Sequence, residues 1–151
     1  TLFGVSPRMR YDLTINEFTK LLFLKKKLDV FDSLTWRPYI HLEDLSKIVN
    51  YFLNLNLGFK SKVFNIGVKN ANYTKQDICK EIIKQMPNRK KYISYSKKPS
   101  KDKRNYKVNF SKISKFKIKN RFNLKKGIKE IINDLKINKD RQKFKKIFSN
   151  I

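Results

Sequence analysis

Apolar residues recur along the chain with a helical spacing in four segments. The first covers about residues 13–27 and ends in a lysine cluster, which favours a helix C-terminus. The others cover about residues 42–56, the segment between Thr74 and Pro87, and the segment that follows Asn123. Asn123 is predicted to cap the last of these helices. The pattern therefore predicts four amphipathic helices, each with one face towards a core.

Local signals mark where two of these helices begin and end. Thr74 is a predicted N-cap, and Asp77 lies three residues later, as in a capping box. Pro87 is expected to stop that helix. Glu43 and Asp44 lie in the first turn of the second helix, where the helix dipole favours anions.

Short apolar or alternating runs between the helices predict strands. The predicted strands are "LDVF" (28–31), "RPYIH" (37–41), "KVFNIGV" (62–68), "KYISYS" (91–96) and "NYKVNF" (105–110). Pro38 confines the second of them to an edge or a strand start. The run at 62–68 is typical of a parallel strand that is buried on both faces. Neither an internal repeat nor a linker divides the chain, so we expect one mixed α/β unit.

The last residues, 137–151, are predicted to form a basic amphipathic tail. Phe144, Ile147, Phe148 and Ile151 follow a helical spacing among lysines. We expect the apolar face to dock on its own domain or on a partner. The alternative is binding to anionic lipid.

The chain is strongly basic, with 151 residues, a formal net charge of +25 and a sequence pI near 10.2. Such a charge is typical of proteins that bind nucleic acid or an anionic membrane surface. Seven of the 37 basic residues are arginines, however, and alanine occurs once, as expected for codons of an AT-rich genome. Lysines spread over solvated faces explain much of the charge, so nucleic acid is not the expected partner.

Cysteine, histidine and hydropathy exclude several classes of protein. Cys79 is the only cysteine and His41 the only histidine, so neither an internal disulfide nor a dedicated zinc site is expected. A reducing, cytoplasmic setting is consistent with this. No apolar run has the roughly 18 residues of a membrane span, and no signal peptide is recognisable. The sequence starts at Thr1 in the strand-like "TLFGV", from which we expect a portion of the protein upstream of it.

Common catalytic and cofactor motifs are absent. The sequence has four glycines and neither G-x-G-x-x-G nor a Walker motif, so it lacks the usual cradle for a dinucleotide or triphosphate. It also lacks a nucleophile elbow and H-E-x-x-H. We expect His41 to support a strand-to-helix junction and Cys79 to pack in a core. No catalytic residue and no metal ligand is predicted.

Two clusters favour binding of a phosphate group. Arg37 opens a strand just before a helix, where its guanidinium can make the forked contacts that phosphates accept. The alternative is an exposed arginine that stacks on Trp36. The second cluster, "KKPSKDKRNYKV" (97–108), contains Asp102, Arg104 and Tyr106, which offer a carboxylate for a ribose diol, a cation for phosphate and an aromatic ring for packing.

Several motifs occur in order over about residues 1–135: "GVSPRMRYDLTINEFT", "WRPYIHLEDLSKIV", "FNIG", "NYTKQDI", "DKRNYKVNFSKI" and "GIKEI". Together they resemble the C-terminal half of the extended short-chain dehydrogenase/reductase family, the NAD-dependent nucleotide-sugar epimerases and dehydratases. The resemblance implies an α/β fold. "FNIG" would be the last parallel strand of a Rossmann-like sheet, and the remainder would form a smaller mixed α/β substrate-binding lobe.

The resemblance also assigns substrate-binding roles to nine residues. Arg37 would hold the diphosphate of the nucleotide sugar, with Tyr39 beside it. The other residues would line the base, approach the ribose and phosphates, or meet the sugar; they are Val30, Phe31, Asp12, Asn16, Asp102, Arg104 and Tyr106.

The chain departs from the family in what it lacks. The glycine fingerprint for NAD and the Tyr-x-x-x-Lys catalytic pair are absent, so the resemblance implies that residues 1–136 are the nucleotide-sugar-binding portion alone. The parent enzyme would oxidise the sugar transiently with NAD and then epimerise or dehydrate it. Its partners would be a nucleotide-diphosphate sugar, the N-terminal NAD-binding portion and a second copy in a homodimer. The alternatives are a non-enzymatic basic module for nucleic acid or an anionic surface, and a lobe that is unstable by itself.

Overall fold

The structure is a computed structural model that describes residues 1–55, 63–98, 102 and 104–142, with 141–142 described by their backbone alone. Helices and short strands alternate. The helices are α1 (Thr14–Phe23), α2 (Leu42–Asn54), α3 (Lys75–Gln85), α4 (Ser111–Ser114) and α5 (Leu124–Ile137). The strands are β1 (Leu2–Phe3), β2 (Leu28–Phe31), β3 (Trp36–Pro38), β4 (Ile40–His41), β5 (Asn72–Thr74) and β6 (Ile93–Ser96). Two 3-10 turns cover Pro87–Tyr92 and Lys139–Gln142.

The strands pair as three two-stranded sheets. β2 and β6 run parallel, from the pair Leu28 and Ile93 to the pair Phe31 and Ser96. β1 is parallel to β4, and β3 is antiparallel to β5. In β2 the burial alternates, as expected where one face of a strand meets a core.

The main core lies between α1, α3, α5 and the β2–β6 pair. Most of its fully buried side chains come from the apolar faces predicted by the helical spacing; these are Leu22, Ile78, Ile82, Ile128, Ile131 and Leu135, whereas the buried Ile15 was not predicted. Burying each such side chain contributes about 1.5–3 kcal/mol of transfer free energy. These faces hold the helices against the sheet, and the sheet positions the loops that follow β2 and β6.

The predicted helix caps are confirmed. The Thr74 hydroxyl accepts a hydrogen bond from the Asp77 N–H, and the Asp77 carboxylate accepts one from the Thr74 N–H, which completes a capping box. Asn123 Oδ1 accepts from the Lys126 N–H at 2.9 Å. α1 ends at Phe23, earlier than predicted, because Lys25 has a φ of 57° and cannot continue a right-handed helix.

A buried carboxylate joins α2 to the segment before α5. Asp44 is almost fully buried and accepts hydrogen bonds from the backbone N–H groups of Arg121 (2.8 Å) and Phe122 (2.9 Å). Its place in the first turn of α2 was predicted, but this second role was not. Asp44 thereby fixes the start of α5 against the helix that follows β4.

The predicted strands at 62–68 and 105–110 are wrong. In residues 63–68 no ladder forms with any part of the chain that the structure describes, and Val63 is 81% exposed rather than buried. A strand requires a neighbour whose N–H and C=O groups match its own. Residues 105–110 do lie beside β3 and β5, but asparagine side chains supply several of the contacts: Asn105 Oδ1 accepts from the Trp36 N–H, and the Asn72 amide bonds both backbone groups of Val108.

Two other predicted strands differ in extent. The run at 37–41 divides at Tyr39, whose N–H donates to the Ala71 carbonyl, so its halves join different sheets. The strand predicted at 91–96 starts two residues later because the 3-10 turn continues to Tyr92. The predicted tail helix with Phe144 and Phe148 lies outside the described residues. Among the described helices, none has both the length and the apolar character needed to cross a membrane.

Candidate functional site

Arg37, the middle residue of β3, lies against Asp102 and Tyr106. Its side chain is 14% exposed, and one terminal nitrogen lies 3.2 Å from Asp102 Oδ1. The other donates to the Trp36 carbonyl at 2.9 Å, and the guanidinium carbon lies 5.3 Å from the centre of the Tyr106 ring. The predicted alternative, stacking of Arg37 on Trp36, is not what the structure has: the Lys107 ammonium lies over that indole, at 3.7 Å.

Asp102 connects two arginines. Arg104 donates to its two carboxylate oxygens from Nε and a terminal nitrogen, both at 2.8 Å, and its backbone N–H donates at 3.1 Å. These bonds from Arg104, and a further one from Arg37, hold the pKa of Asp102 far below its usual range. Asp102 is therefore ionised at neutral pH, and the three side chains carry a net charge of +1.

Tyr39 lies next to this cluster but below the surface. Its side chain is buried, and burial raises the pKa of its hydroxyl, although a hydrogen bond with the Thr14 side chain opposes that shift. The rings of Tyr39 and Tyr73 lie 6.4 Å apart between centres. Tyr39 thus ties the start of α1 to the strand that carries Arg37.

The two residues predicted to line a base have different positions. Phe31, at the carboxyl end of β2, is 39% exposed and presents its ring at the surface. Val30 is fully buried in the main core, so its side chain offers no surface to a ligand and only backbone atoms at this position can face one.

Asp12 and Asn16 have structural partners. Arg10 forms a forked ion pair with the Asp12 carboxylate. The buried Asn16 amide accepts from the Gly4 N–H at 3.2 Å and donates to the Arg10 carbonyl at 2.9 Å, which holds the loop before α1. Asn16 also lines a cavity of about 230 Å³ together with Arg8 and Arg10.

His41 caps α2 at the strand-to-helix junction, as predicted. Its ring has no exposed surface, and its Nε2 lies 2.8 Å from Glu130 Oε2. Its Nδ1 accepts from the Glu43 N–H at 3.3 Å, which leaves Nε2 as the donor to Glu130. Phe122 stacks on the ring at 3.6 Å. The partner Glu130 was not predicted; the available signal was an acid placed between the buried positions Ile128 and Ile131 of α5.

Cys79 is buried in the core, as predicted, and burial raises the pKa of its thiol to about 11. Because the thiolate is the nucleophile, we expect iodoacetamide to modify the native protein at least ~100-fold more slowly than the urea-unfolded protein at pH 7.5. Timed alkylation followed by mass spectrometry measures both rates. Equal rates in the two states would contradict the packing role.

The described part of the chain has no cluster of three or more histidine, cysteine or acidic side chains arranged to hold a metal ion. The charged groups that the structure brings together are those of Arg37, Asp102 and Arg104, with the Tyr106 ring beside Arg37. Such a set suits an anionic ligand with an aromatic or sugar group.

No family model matches the sequence. Solved structures do match. A dTDP-glucose 4,6-dehydratase from Bacillus anthracis, in complex with NAD, is similar over 95% of this chain and 45% of its own, with 24% identity and a TM-score of 0.76. A UDP-glucuronic acid 4-epimerase from Bacillus cereus, in complex with UDP-glucuronic acid and NAD, is similar over 91% of this chain and 43% of its own, with 22% identity and a TM-score of 0.73.

This chain has the fold of the C-terminal part of nucleotide-sugar dehydratases and epimerases. A UDP-glucose 4-epimerase from Thermotoga maritima, solved with UDP-glucose, is also similar in fold to this chain, with 20% identity and a TM-score of 0.72. The chain spans less than half the length of these dehydratase and epimerase structures. The fold class predicted from the motifs is confirmed, whereas the strand assigned to "FNIG" is not formed in the described residues.

Proposed function

We propose that this chain is the nucleotide-sugar-binding part of an NAD-dependent epimerase or dehydratase. The observation that carries the proposal is the position of Arg37, which is mostly shielded from water and lies against Asp102 and Tyr106. A guanidinium held on a strand offers several N–H groups in a fixed plane, the geometry that phosphate oxygens accept in pairs. The similar structures that contain UDP-glucuronic acid or UDP-glucose support this ligand class.

The topology supports a single site. Phe31 ends β2, and the segment that contains Asp102 and Tyr106 follows the end of the parallel strand β6. Ligands of open α/β sheets bind outside the carboxyl ends of the strands. Phe31, Arg37 and Tyr106 therefore belong to the same edge of the molecule, where a base and a diphosphate can be bound together.

Asp102 has a specific role in this arrangement. A diphosphate carries more negative charge than one carboxylate, so it competes with Asp102 for the guanidinium of Arg37. Asp102 keeps its contacts with Arg104, so it stays ionised beside the ligand, where the carboxylate can accept a hydrogen bond from a ribose hydroxyl. The carboxylate thereby orders the two arginines before the ligand arrives and contacts the sugar of the nucleotide afterwards.

The chain's own residues do not fit NAD. Its four glycines, at positions 4, 58, 67 and 127, form no G-x-G-x-x-G turn, so no glycine-rich helix start is available for the dinucleotide pyrophosphate. We therefore assign the cofactor, and the transient oxidation of the sugar that it supplies in such an enzyme, to an N-terminal portion that this chain does not contain. This chain's part is to bind and orient the substrate.

Nucleotide titration tests the proposed function. Isothermal titration of the full chain with UDP, dTDP and GDP, and with the matching nucleosides, measures how much affinity the diphosphate adds. We expect at least one nucleoside diphosphate to bind at least ~10-fold more tightly than its nucleoside, because a charged hydrogen bond contributes about 1.5–3 kcal/mol. The fluorescence of Trp36, the single tryptophan, provides a second signal next to Arg37. Equal affinities for diphosphates and nucleosides would contradict the proposal.

A further inference from the structure

Four cations surround one open recess at the turn between α3 and β6. The recess has a volume of about 780 Å³ and is lined by Lys25, Pro87, Asn88, Arg89, Lys90, Lys91 and Tyr92, which we call the 87–92 basin. No acidic side chain is among the residues that line it in the described structure. The volume lies in the range of small-ligand sites.

Three of the four basin cations, Lys25, Arg89 and Lys90, have no acidic partner in the described structure, and Lys91 lies 5.5 Å from the centre of the Tyr92 ring. Every aspartate and glutamate of the chain lies in the described residues, and none of them pairs there with Lys25, Arg89 or Lys90. Arg89 Nε is buried and has no hydrogen-bond acceptor in the described structure. Nearby Lys27, in contrast, pairs with Asp29 at 3.2 Å. Four like charges held together without a counter-charge repel one another, and an anion would relieve that repulsion.

Lys25 adds an independent observation. It has a φ of 57°, just beyond the end of α1, where its N–H donates to the Leu22 carbonyl at 3.2 Å. Glycine is the favoured residue in this conformation, because a side chain there costs about 1 kcal/mol. Lys117 has the same conformation outside the basin, so what distinguishes Lys25 is that its charge lines the recess.

The basin is distinct from the Arg37 site. Lys25 lies three residues before β2, and the Pro87–Tyr92 turn directly precedes β6, whereas Phe31 and the 102–106 segment follow the opposite ends of these strands. β2 and β6 are parallel. Three residue steps along each strand separate the two ends by about 10 Å.

We propose that the 87–92 basin is a second anion site, which binds a small molecule that carries phosphate groups. Arg89 supplies a guanidinium, and Lys25, Lys90 and Lys91 supply further positive charge around the recess. The cations converge on one recess instead of following a long stripe, which favours a compact polyanion over the backbone of a nucleic acid. The proposal does not depend on the function proposed for Arg37.

Titration of the full chain with inorganic tripolyphosphate tests this site, with each variant's melting temperature measured alongside. We expect Arg89→Gln to weaken the basin's affinity at least ~10-fold, because one charged hydrogen-bond pair is lost. Lys25→Gly is expected to weaken it several-fold while the melting temperature stays the same or rises, since glycine relieves the left-handed backbone. Lys117→Gly is the matched control: Lys117 also has a left-handed φ, of 52°, and is not among the basin residues.

The Arg37 site can bind tripolyphosphate as well, so Arg37→Gln is titrated in parallel. We expect this variant to retain the binding that Arg89→Gln removes. Wild-type affinity in both Arg89→Gln and Lys25→Gly would overturn the proposal. So would weak tripolyphosphate binding combined with tight, Arg89-dependent binding of a single-stranded oligonucleotide, which would assign the basin to nucleic acid.

Discussion

Gly4→Ala is expected to lower the free energy of unfolding by about 4 kcal/mol or more. Gly4 has a φ of +113°, a region that residues with a side chain rarely occupy. A Cβ at this position would lie 2.1 Å from Nε2 and 2.6 Å from Cδ2 of His41. The imidazole cannot yield easily, because Glu130 and Phe122 hold it in a fully buried position. Backbone strain and overpacking therefore add at one residue.

Urea unfolding followed by circular dichroism measures this effect. Small domains have only about 5–15 kcal/mol of stability, so a loss of about 4 kcal/mol should move the unfolding midpoint of Gly4→Ala to a clearly lower urea concentration. The double variant Gly4→Ala/His41→Ala separates the two causes, since it removes the steric contact and leaves the backbone strain. If Gly4→Ala unfolded at the same urea concentration as the wild type, the described approach of Gly4 to His41 would be incorrect.

Arg37→Gln is expected to weaken binding of a nucleoside diphosphate about 10- to 100-fold. The loss corresponds to one charge-assisted hydrogen bond of about 1.5–3 kcal/mol. Arg37→Lys should recover part of the affinity, because it restores the charge without the planar fork. The nucleoside lacks the diphosphate, so its affinity should change much less in either variant.

Two further variants test whether the loss of affinity is specific to Arg37. Arg121→Gln removes an exposed guanidinium that pairs with Glu43 at 3.4 Å, and we expect it to bind nucleotides as the wild type does. Asp102→Asn removes the carboxylate that competes for Arg37, so pyrophosphate should bind more tightly than to the wild type. The difference in affinity between the nucleoside diphosphate and pyrophosphate should become smaller, because the contact of Asp102 with the ribose is lost. A loss of diphosphate affinity in Arg121→Gln equal to that in Arg37→Gln would indicate a general charge effect and would contradict the proposed site.

The helices could be predicted from the sequence because their signals are local. The apolar spacing of α3 and the Thr74/Asp77 cap lie within one short segment and needed no information about the rest of the chain. Strands depend on their neighbours. Residues 63–68 have the composition of a buried strand, but no adjacent strand in the described structure supplies hydrogen bonds to them.

The candidate site was predictable only in part. The proximity of Arg37 to the 102–106 segment followed from a family resemblance, because no spacing rule connects residues so far apart in sequence. For the same reason, two other contacts were not predicted from the sequence: that of Asp44 with the backbone of residues 121 and 122, and that of His41 with Glu130. The burial of Val30 was also missed: the alternation in β2 showed that one face is buried but not which face carries a ligand.

Arginine-detected NMR tests most directly whether the guanidinium of Arg37 contacts a diphosphate. The chain has seven arginines, so ¹⁵N-labelled arginine gives few Nε–Hε signals, and Arg37→Lys assigns the relevant one. On addition of the nucleoside diphosphate that binds best, we expect the Arg37 signal to shift and to show a coupling to ³¹P, while the Arg121 signal stays in place. Saturable binding that leaves the Arg37 signal unchanged would contradict the account.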